Sequence, residues 1–183
     1  MQPAASVDEV FEVLARADGA RDSLGPDGDP IDVLAHSLQC ADVLAARVPD
    51  DDELQVAGLL HDLGHVLAPG CAAEHGEIAG RYVEPLLGPR VARLVVLHVP
   101  AKRYLVTTEP EYAQSLSDGS TLSLGMQGGD LDAHERALLE REPHLEDALV
   151  LRRADEAAKI IGKRVDGLER WRPVVDDLAR RNG

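Results

Sequence analysis

Apolar residues recur along this chain at the spacing of amphipathic helices. In the first such segment, residues 6–17, four apolar side chains fall on one helical face: Val7, Val10, Phe11 and Leu14. A segment rich in Gly, Pro and Asp follows at 19–30, and its composition predicts a loop. This loop is long enough to act as a lid over a site, although a plain surface loop is the alternative.

The same periodicity predicts helices over most of the remaining chain. The acidic run at 49–53 should begin a helix, because the helix dipole favours acids there. Pro89 suits the first turn of a helix that starts after Gly88, and Pro100 is expected to end or bend that helix. The predicted helices span 31–48, 51–67, 73–87, 89–99, 132–142, 144–162 and 167–181, and a helix followed by a glycine-rich loop is expected within 110–130. Since no segment alternates as a strand does, the predicted fold is all-α, a single-domain helical bundle over residues 1–183.

Composition supports this fold and limits the classes of function. Apolar residues make up 44% of the chain but aromatic residues only 3%, so the core is expected to consist of Leu, Val and Ala. The formal net charge of −14 disfavours nucleic acid and anionic membranes as partners. A small anionic substrate remains compatible with it, because a local basic cluster can dominate inside a pocket. With two cysteines and no apolar run of about 20 residues, a cytoplasmic location is expected.

Histidines are concentrated in the predicted inner helices, in apolar surroundings. A single histidine of this kind is usually a hydrogen-bonded core residue. Several together with embedded acids favour metal binding, because buried imidazoles and carboxylates are costly unless they are paired or bound to metal. The candidate residues are His36, His61, Asp62, His65, His75, His98 and Asp155.

The strongest local signal is LLHDLGH at 59–65. On a helix, His61 and Asp62 would point about 100° apart, so the imidazole could bind one metal while the carboxylate bridges to a second. His65 would share the face of His61. The other candidates lie on or near separate predicted helices, and a bundle can turn them all inward, as helical di-metal carboxylate proteins do.

The pattern H…HD…H…H…D resembles the HD-domain superfamily, and its two extra histidines are similar to the dinuclear branch. Closer similarity lies in HSLQCA at 36–41, LLHDLGH, HVPAKRYLV at 98–106, LSDGS at 116–120, QGG at 127–129 and RRADEAAK at 152–159. These motifs resemble the PhnZ-type oxygenases, which cleave the carbon–phosphorus bond in phosphonate catabolism and are related to inositol oxygenase. The resemblance implies an HD-domain bundle with its metal-binding core at about 31–162. It also implies two iron ions, Fe(II)/Fe(III), with O2 as co-substrate, bound by His36, His61, Asp62, His75, His98 and Asp155.

Basic residues near these candidates indicate an anionic substrate. Lys102 follows His98 by one helical turn, and Arg152 precedes Asp155 by a similar offset. Each cation could be a simple ion-pair partner, but a cluster beside two metals is better explained by phosphate or phosphonate recognition. The resemblance assigns phosphonate binding to His65, Lys102, Ser120, Ser123, Gln127 and Arg152. Lys159 is interpreted as a partner that orients Asp155.

The loop before His36 departs from the related oxygenases. Those enzymes carry a Tyr-x-x-Glu there, in which the tyrosine occupies the iron site before substrate arrives and the glutamate contacts the substrate's amino group. Here Pro26 and Asp29 hold the equivalent positions. Asp29, in the possible lid, could replace the glutamate, or it could simply form a turn.

The leading hypothesis is a di-iron oxygenase that cleaves the C–P bond of a small α-hydroxyphosphonate, similar to 2-amino-1-hydroxyethylphosphonate, and releases phosphate. The alternative is a metal-dependent HD phosphohydrolase acting on a small phosphomonoester or nucleotide. A third interpretation is a regulator that senses a small anion, which the complete ligand set disfavours. The expected partner is a small anionic substrate, with no nucleic acid and no membrane.

Overall fold

The computed structural model describes residues 2–22 and 24–183, and no strand occurs among them. The prediction of an all-α fold is therefore confirmed. A short 3₁₀ turn at Gly25–Asp27 lies in the loop between the first two helices. The helices are α1 (Val7–Arg16), α2 (Val33–Arg47), α3 (Asp52–Leu60), α4 (Leu63–Leu67), α5 (His75–Thr108), α6 (Pro110–Ser115), α7 (Asp118–Met126), α8 (Ala133–Leu139), α9 (Leu145–Ala157) and α10 (Leu168–Asn182).

Side-chain caps fix where several of these helices begin. Asp32 accepts a hydrogen bond from the backbone N–H of Ala35 at the start of α2, and Asp51 accepts one from Leu54 at the start of α3. Ser117 caps α7 in the same way. Each cap satisfies a backbone donor that has no partner within its helix. The acidic run therefore starts a helix, as the sequence predicts.

The predicted single helix over 51–67 is wrong at its centre. Helix α3 ends at Leu60, and α4 begins at Leu63. Between them Asp62 leaves the helical region, with φ −99° and ψ 5°. The His-Asp pair therefore occupies a turn between two helices and not a continuous helical face. Similarly, the helix expected within 110–130 is divided into α6 and α7, with residues 116 and 117 between them.

Helix α5 is divided at Gly88, whose φ of 86° and ψ of 168° are not helical. Glycine adopts this positive φ without steric cost, which explains the predicted boundary between the two segments. Pro100 was expected to end or bend the helix; it does not end it, because α5 continues to Thr108, and a bend there stays a prediction. A proline removes one backbone hydrogen bond. Burial of Leu97, Ala101 and Leu105 on either side of Pro100 offsets that loss.

The core lies where α5 packs against α3, α4, α9 and α10, and where α2 packs against α3 and α9. It consists mainly of Leu, Val and Ala, with Trp171 as its largest fully buried side chain. None of the described helices is long and apolar enough to cross a membrane. The candidate ligands lie on or next to the inner helices of this core, so packing in the core fixes their positions.

Candidate metal centre and anion pocket

The four candidate histidine ligands are held in the same way. In each ring, Nδ1–H donates to a backbone carbonyl: His36 to Ala158 (3.1 Å), His61 to Gly58 (2.8 Å), His75 to Ala72 (2.8 Å) and His98 to Val95 (2.6 Å). This hydrogen bond sets the tautomer, so Nε2 carries the lone pair and is available to bind a metal. All four rings are buried.

The Nε2 atoms form two close pairs. They lie 3.2 Å apart in His36 and His61, and 2.8 Å apart in His75 and His98. When both rings of a pair are neutral, two Nε2 lone pairs face each other, which is unfavourable unless a proton or a metal ion lies between them. Two nitrogens bound to one metal at 2.0–2.1 Å would lie about 2.8–3.4 Å apart. The nitrogen–nitrogen distances therefore fit one metal ion at each pair.

Asp62 lies between the two histidine pairs. Its Oδ2 is 3.5 Å from His36 Nε2 and 3.4 Å from His61 Nε2. Its Oδ1 is 3.3 Å from His75 Nε2 and 3.8 Å from His98 Nε2. One oxygen thus faces each pair, which is the arrangement of a carboxylate that bridges two metals. Although Asp62 is in a turn and not on a helix face, the geometry permits the bridge that the sequence suggested.

Asp155 joins the first pair only. Its Oδ1 lies 3.2 Å from His36 Nε2, and its Oδ2 lies 3.8 Å from His61 Nε2. Burial by itself raises the pKa of this carboxyl, but Arg152 and His61 hold it well below its usual range. The pKa of Asp62 is also well below its usual range, because His61 and His75 outweigh the effect of burial. The cluster therefore presents two anionic carboxylates with four imidazole nitrogens, a donor set that suits iron, manganese or zinc.

A backbone contact holds the two halves of the cluster together. At Gly64 of α4, a Cβ atom would lie 2.0 Å from the carbonyl oxygen of His75, where α5 begins. Only glycine permits this approach of the two backbones. The close packing fixes the turn that carries His61 and Asp62 against the helix that carries His75 and His98.

His65 lies beside the second histidine pair. Its ring stacks on His75, with centroids 4.2 Å apart and an interplanar angle of 14°, and its Nε2 is 3.8 Å from Asp62 Oδ1. Burial and the neighbouring His75 lower the pKa of His65 to about 3, so the ring is neutral. His65 also lines the cavity in front of the cluster, where a neutral imidazole can contact a ligand.

This cavity has a volume of about 70 Å³ and is lined by all the residues to which the family resemblance assigns phosphonate binding. Lys102 is buried, and its Nζ donates to Ser123 Oγ at 2.7 Å. Burial and the charge of Arg152 lower the pKa of Lys102 to about 7. Gln127 Oε1 is buried and has no hydrogen-bond partner among the described residues. The cavity thus combines a cation with an unsatisfied polar group.

Arg152 connects the cavity to the candidate metal ligands. Its guanidinium pairs with Asp155 and Glu156 and donates to Ser120 Oγ at 2.9 Å. Glu156 was missed by sequence reasoning. It accepts hydrogen bonds from Ser120 Oγ (2.8 Å) and the backbone N–H of Ser117 (2.7 Å), so it holds α7 against α9. The sequence signal that could have identified Glu156 is its position one helical turn after Arg152, where a carboxylate can pair with the guanidinium.

Lys159 does not have the partner predicted for it. Its Nζ contacts Asp29 Oδ2 at 2.6 Å and lies 3.5 Å from Glu156, and these are its ion pairs within the described part of the chain. It also donates to Ser120 Oγ at 2.6 Å. The interpretation that Lys159 orients Asp155 is therefore wrong, because its ion pairs in the described part of the chain are with Asp29 and Glu156.

The predicted lid loop, 19–30, contributes Asp22, Leu24 and Asp29 to the cavity wall, and Ser23 within it lies outside the described residues. Burial by itself raises the pKa of Asp29, but Lys159 and Ser117 hold it below its usual range. The sequence did not single out Asp22. Whether the loop moves as a lid stays a prediction.

Comparison with known proteins gives the class of the chain. Residues 31–160 match the family model of the HD domain, and the chain belongs to the HD-domain family. It is 37% identical over 147 residues to 1-hydroxy-2-(trimethylamino)ethylphosphonate dioxygenase (glycine-betaine-forming) of Leisingera caerulea, which covers 76% of this chain and 72% of that protein. It is 32% identical over 152 residues to hydroxymethylphosphonate dioxygenase of Gimesia maris, covering 78% and 75%. The similarity to HD-domain phosphonate oxygenases expected from the motifs is confirmed.

Proposed function

We propose that this protein is a di-iron oxygenase that cleaves the C–P bond of a small α-hydroxyphosphonate and releases phosphate. The observation that carries the proposal is the position of Asp62, with one oxygen toward each histidine pair, on the wall of a cavity that also contains Lys102 and Arg152. A dinuclear donor set and an anion site therefore share one cavity. Two similar proteins named as phosphonate dioxygenases support the same reaction class.

In this proposal, His36, His61 and Asp155 would hold one iron, His75 and His98 would hold the other, and Asp62 would offer one carboxylate oxygen to each. The two ions, when bound, supply the redox chemistry by which O2 oxidises the substrate. The backbone carbonyls that accept from each Nδ1–H keep the rings oriented as ligands.

The phosphonate is held by the residues around Lys102. Its ammonium and the Arg152 guanidinium provide charge-assisted hydrogen bonds to phosphonate oxygens. The Ser120 and Ser123 hydroxyls line the same wall and accept hydrogen bonds from Arg152 and Lys102, so they position these two cations for the phosphonate. His65 and Gln127 contact the substrate from other parts of the same wall. The arrangement fixes the carbon next to phosphorus beside the candidate metal ligands.

The overall reaction balances with O2 as the sole oxidant. One α-hydroxyphosphonate and one O2 give one carboxylic acid and one phosphate. The C–P bond and the adjacent C–H bond break, the carbon gains one oxygen, and the phosphorus gains the other. No external reductant is consumed, so O2 uptake and phosphate release should be equal.

The test uses protein reconstituted with Fe(II) and partially oxidised. We expect a mixed-valent Fe(II)/Fe(III) signal in electron paramagnetic resonance that changes when an α-hydroxyphosphonate is added. In air-saturated buffer, O2 consumption should match phosphate release in a ratio of one to one. Protein loaded with zinc is the control and should release no phosphate. Full-rate phosphate release without O2, or with zinc, would refute the oxygenase and favour a phosphohydrolase.

A further inference from the structure

The ammonium of Lys159 lies where three segments of the chain meet beside the cavity. These segments are the loop that carries Asp29, the start of α7, and the residues just after α9. Nζ donates to Asp29 Oδ2 at 2.6 Å, to Ser117 Oγ at 2.8 Å and to Ser120 Oγ at 2.6 Å. An ammonium has three N–H donors, so these three acceptors use all of them.

Ser120 connects Lys159 to the anion pocket. Its hydroxyl donates to Glu156 Oε2 at 2.8 Å, and it accepts from Arg152 Nη2 at 2.9 Å as well as from Lys159. Because a hydroxyl has one donor and two acceptor positions, this one has none left for a ligand. The hydroxyl of Ser117 is saturated in the same way, since it accepts from Lys159 and from the backbone N–H of Ser120 and donates to the loop carboxylate.

Asp29 is held by its backbone as well as by its carboxylate. A Cβ atom at Gly119 of α7 would lie 2.7 Å from the backbone nitrogen of Asp29, so only glycine lets the loop approach α7 this closely. Arg21 Nη1 donates to the backbone carbonyl of Asp29 at 3.0 Å. Burial by itself raises the pKa of Asp29, but Lys159 and Ser117 hold it below its usual range. The carboxylate is thus ionised, fixed in place and paired within the protein.

Lys102 differs from Lys159 in the donors that it has left. Among the described residues, Lys102 Nζ has one hydrogen-bond partner, Ser123 Oγ at 2.7 Å, so its ammonium retains two N–H groups for an anion. The ammonium of Lys159 retains none, and Asp29 balances its charge. The cavity therefore has one side at Lys102 that can bind an anion, and another side at Lys159 where a cation of the protein is already in place.

We infer that Lys159 determines which substrates the cavity accepts, because its ammonium occupies the acid that a cationic tail would otherwise bind. The inference rests on the proposed function and narrows the substrate to an α-hydroxyphosphonate whose tail carries no positive charge. A tail ammonium placed at Asp29 would compete with Lys159 for the same oxygen and would be repelled by its charge. It would also break a hydrogen-bond network in which the donors of Lys159 are all satisfied.

The other acid that the loop contributes to the lining does not take the place of Asp29. Burial raises the pKa of Asp22, and the charges of Asp62 and Asp29 raise it further. The charged form of Asp22 is therefore less favoured than that of an exposed acid. The same lining includes apolar side chains that suit an uncharged tail, namely Leu24, Ile31 and Val33.

The test compares two ligands that differ only at the end of the tail. Iron-loaded protein is titrated under anaerobic conditions with 2-amino-1-hydroxyethylphosphonate and with 1-hydroxypropylphosphonate, in which a methyl group replaces the ammonium. Dissociation constants are measured by calorimetry. The wild-type protein should bind the uncharged tail at least as tightly as the aminated one. Because O2 is excluded, the comparison does not depend on turnover.

Variants of Lys159 then assign the effect. Lys159→Met keeps much of the side-chain volume and leaves Asp29 without its cation, so the aminated ligand should bind roughly 10- to 100-fold more tightly than the uncharged one, as expected for one charge-assisted hydrogen bond. Adding Asp29→Asn to this variant should remove the preference. Lys159→Arg keeps the charge and should behave as the wild-type protein does. Lys163→Met, at a lysine outside the cavity lining, is the matched control.

Circular dichroism checks that each variant is folded. Lys159→Gln, which keeps a donor for Asp29 but not the charge, gives the same test where the methionine variant does not fold.

Three results would overturn the inference. The first is a wild-type protein that clearly prefers the aminated ligand. The second is an unchanged ratio of the two dissociation constants in the variants that lack the charge. The third is an equal loss of affinity for both ligands in those variants, because Lys159 would then bind the phosphonate itself. Failure of the proposed function is distinct: O2 uptake would be absent while the preference between the two ligands is still measured.

Discussion

Replacing Lys102 by methionine tests the anion site most directly. Methionine keeps much of the volume of the side chain and removes the ammonium. In the wild-type protein this buried ammonium has, among the described residues, one hydrogen bond, to Ser123 Oγ at 2.7 Å. Its loss should remove one charge-assisted contact with a phosphonate oxygen, at a cost of about 1.5–3 kcal/mol. The dissociation constant for a phosphonate should therefore rise roughly tenfold to a hundredfold.

The pKa of Lys102 adds a second readout. Burial and Arg152 lower that pKa to about 7, so the ammonium is progressively lost as pH rises through neutrality. The advantage of the wild-type protein over Lys102→Met should therefore be largest below pH 7 and should shrink above it. Taking the ratio of the two proteins cancels the ionisation of the ligand itself.

The assay is calorimetric titration of iron-loaded protein with hydroxymethylphosphonate under anaerobic conditions. Lys163→Met is the matched control, because Lys163 lies outside this cavity and is 3.7 Å from Asp42. It should bind the ligand as the wild-type protein does. The melting temperature of Lys102→Met should not fall, since a buried charge has been removed. Unchanged affinity, or loss of both metals, would show that Lys102 is structural and would refute the reasoning.

Three further predictions concern the metal centre. Asp62→Asn should reduce the metal content, measured by elemental analysis, below two ions per chain, because the bridging charge is lost. Asp50→Asn, at an exposed acid, should keep both ions. Two ions per chain in Asp62→Asn would refute a bridging role for Asp62. Chelation should lower the melting temperature and added Fe(II) should restore it, since an ion that binds only the folded state stabilises it; an unchanged melting temperature would contradict a metal between the histidine pairs. Gly64→Ala should lower the free energy of unfolding by about 1–3 kcal/mol or more, because its Cβ would lie 2.0 Å from the His75 carbonyl oxygen. Gly125→Ala, where no atom lies within 4 Å, should be neutral or slightly stabilising by denaturant unfolding, and equal losses in both would refute the packing argument.

The helices could be predicted because their apolar spacing is local, but their interruptions could not. LLHDLGH has the composition of a continuous helix, and nothing local marks the end of α3 at Leu60. The break at Asp62 accompanies contacts with residues far away in the chain, namely His36, His75 and His98. Pro100 gives the opposite case. A local rule predicts that the helix ends or bends there, but α5 continues to Thr108 and the side chains around Pro100 are buried.

The candidate site likewise has features that follow from the local sequence and features that depend on contacts between distant residues. Residue type and apolar surroundings were sufficient to predict a cluster of histidines and acids, because burying unpaired imidazoles and carboxylates is costly. The family resemblance, and not the local sequence, separated the six candidate ligands from His65. The ion-pair partners of these residues were harder to predict, since they depend on which distant segments of the chain come into contact. Lys159 pairs with Asp29, which lies 130 residues away, and not with the nearby Asp155. Glu156 looks like any helical acid until the structure brings Ser117 and Ser120 to it.

The distribution of charge explains how a protein with a net charge of −14 can bind an anion. The cations of the cavity are few, and Arg152 and Lys102 are only 2% and 5% exposed. Because most of the acidic residues lie on the surface, salt screens their repulsion of an incoming anion, while buried contacts are screened much less. Binding should therefore depend on the local arrangement of Lys102 and Arg152 and little on overall charge.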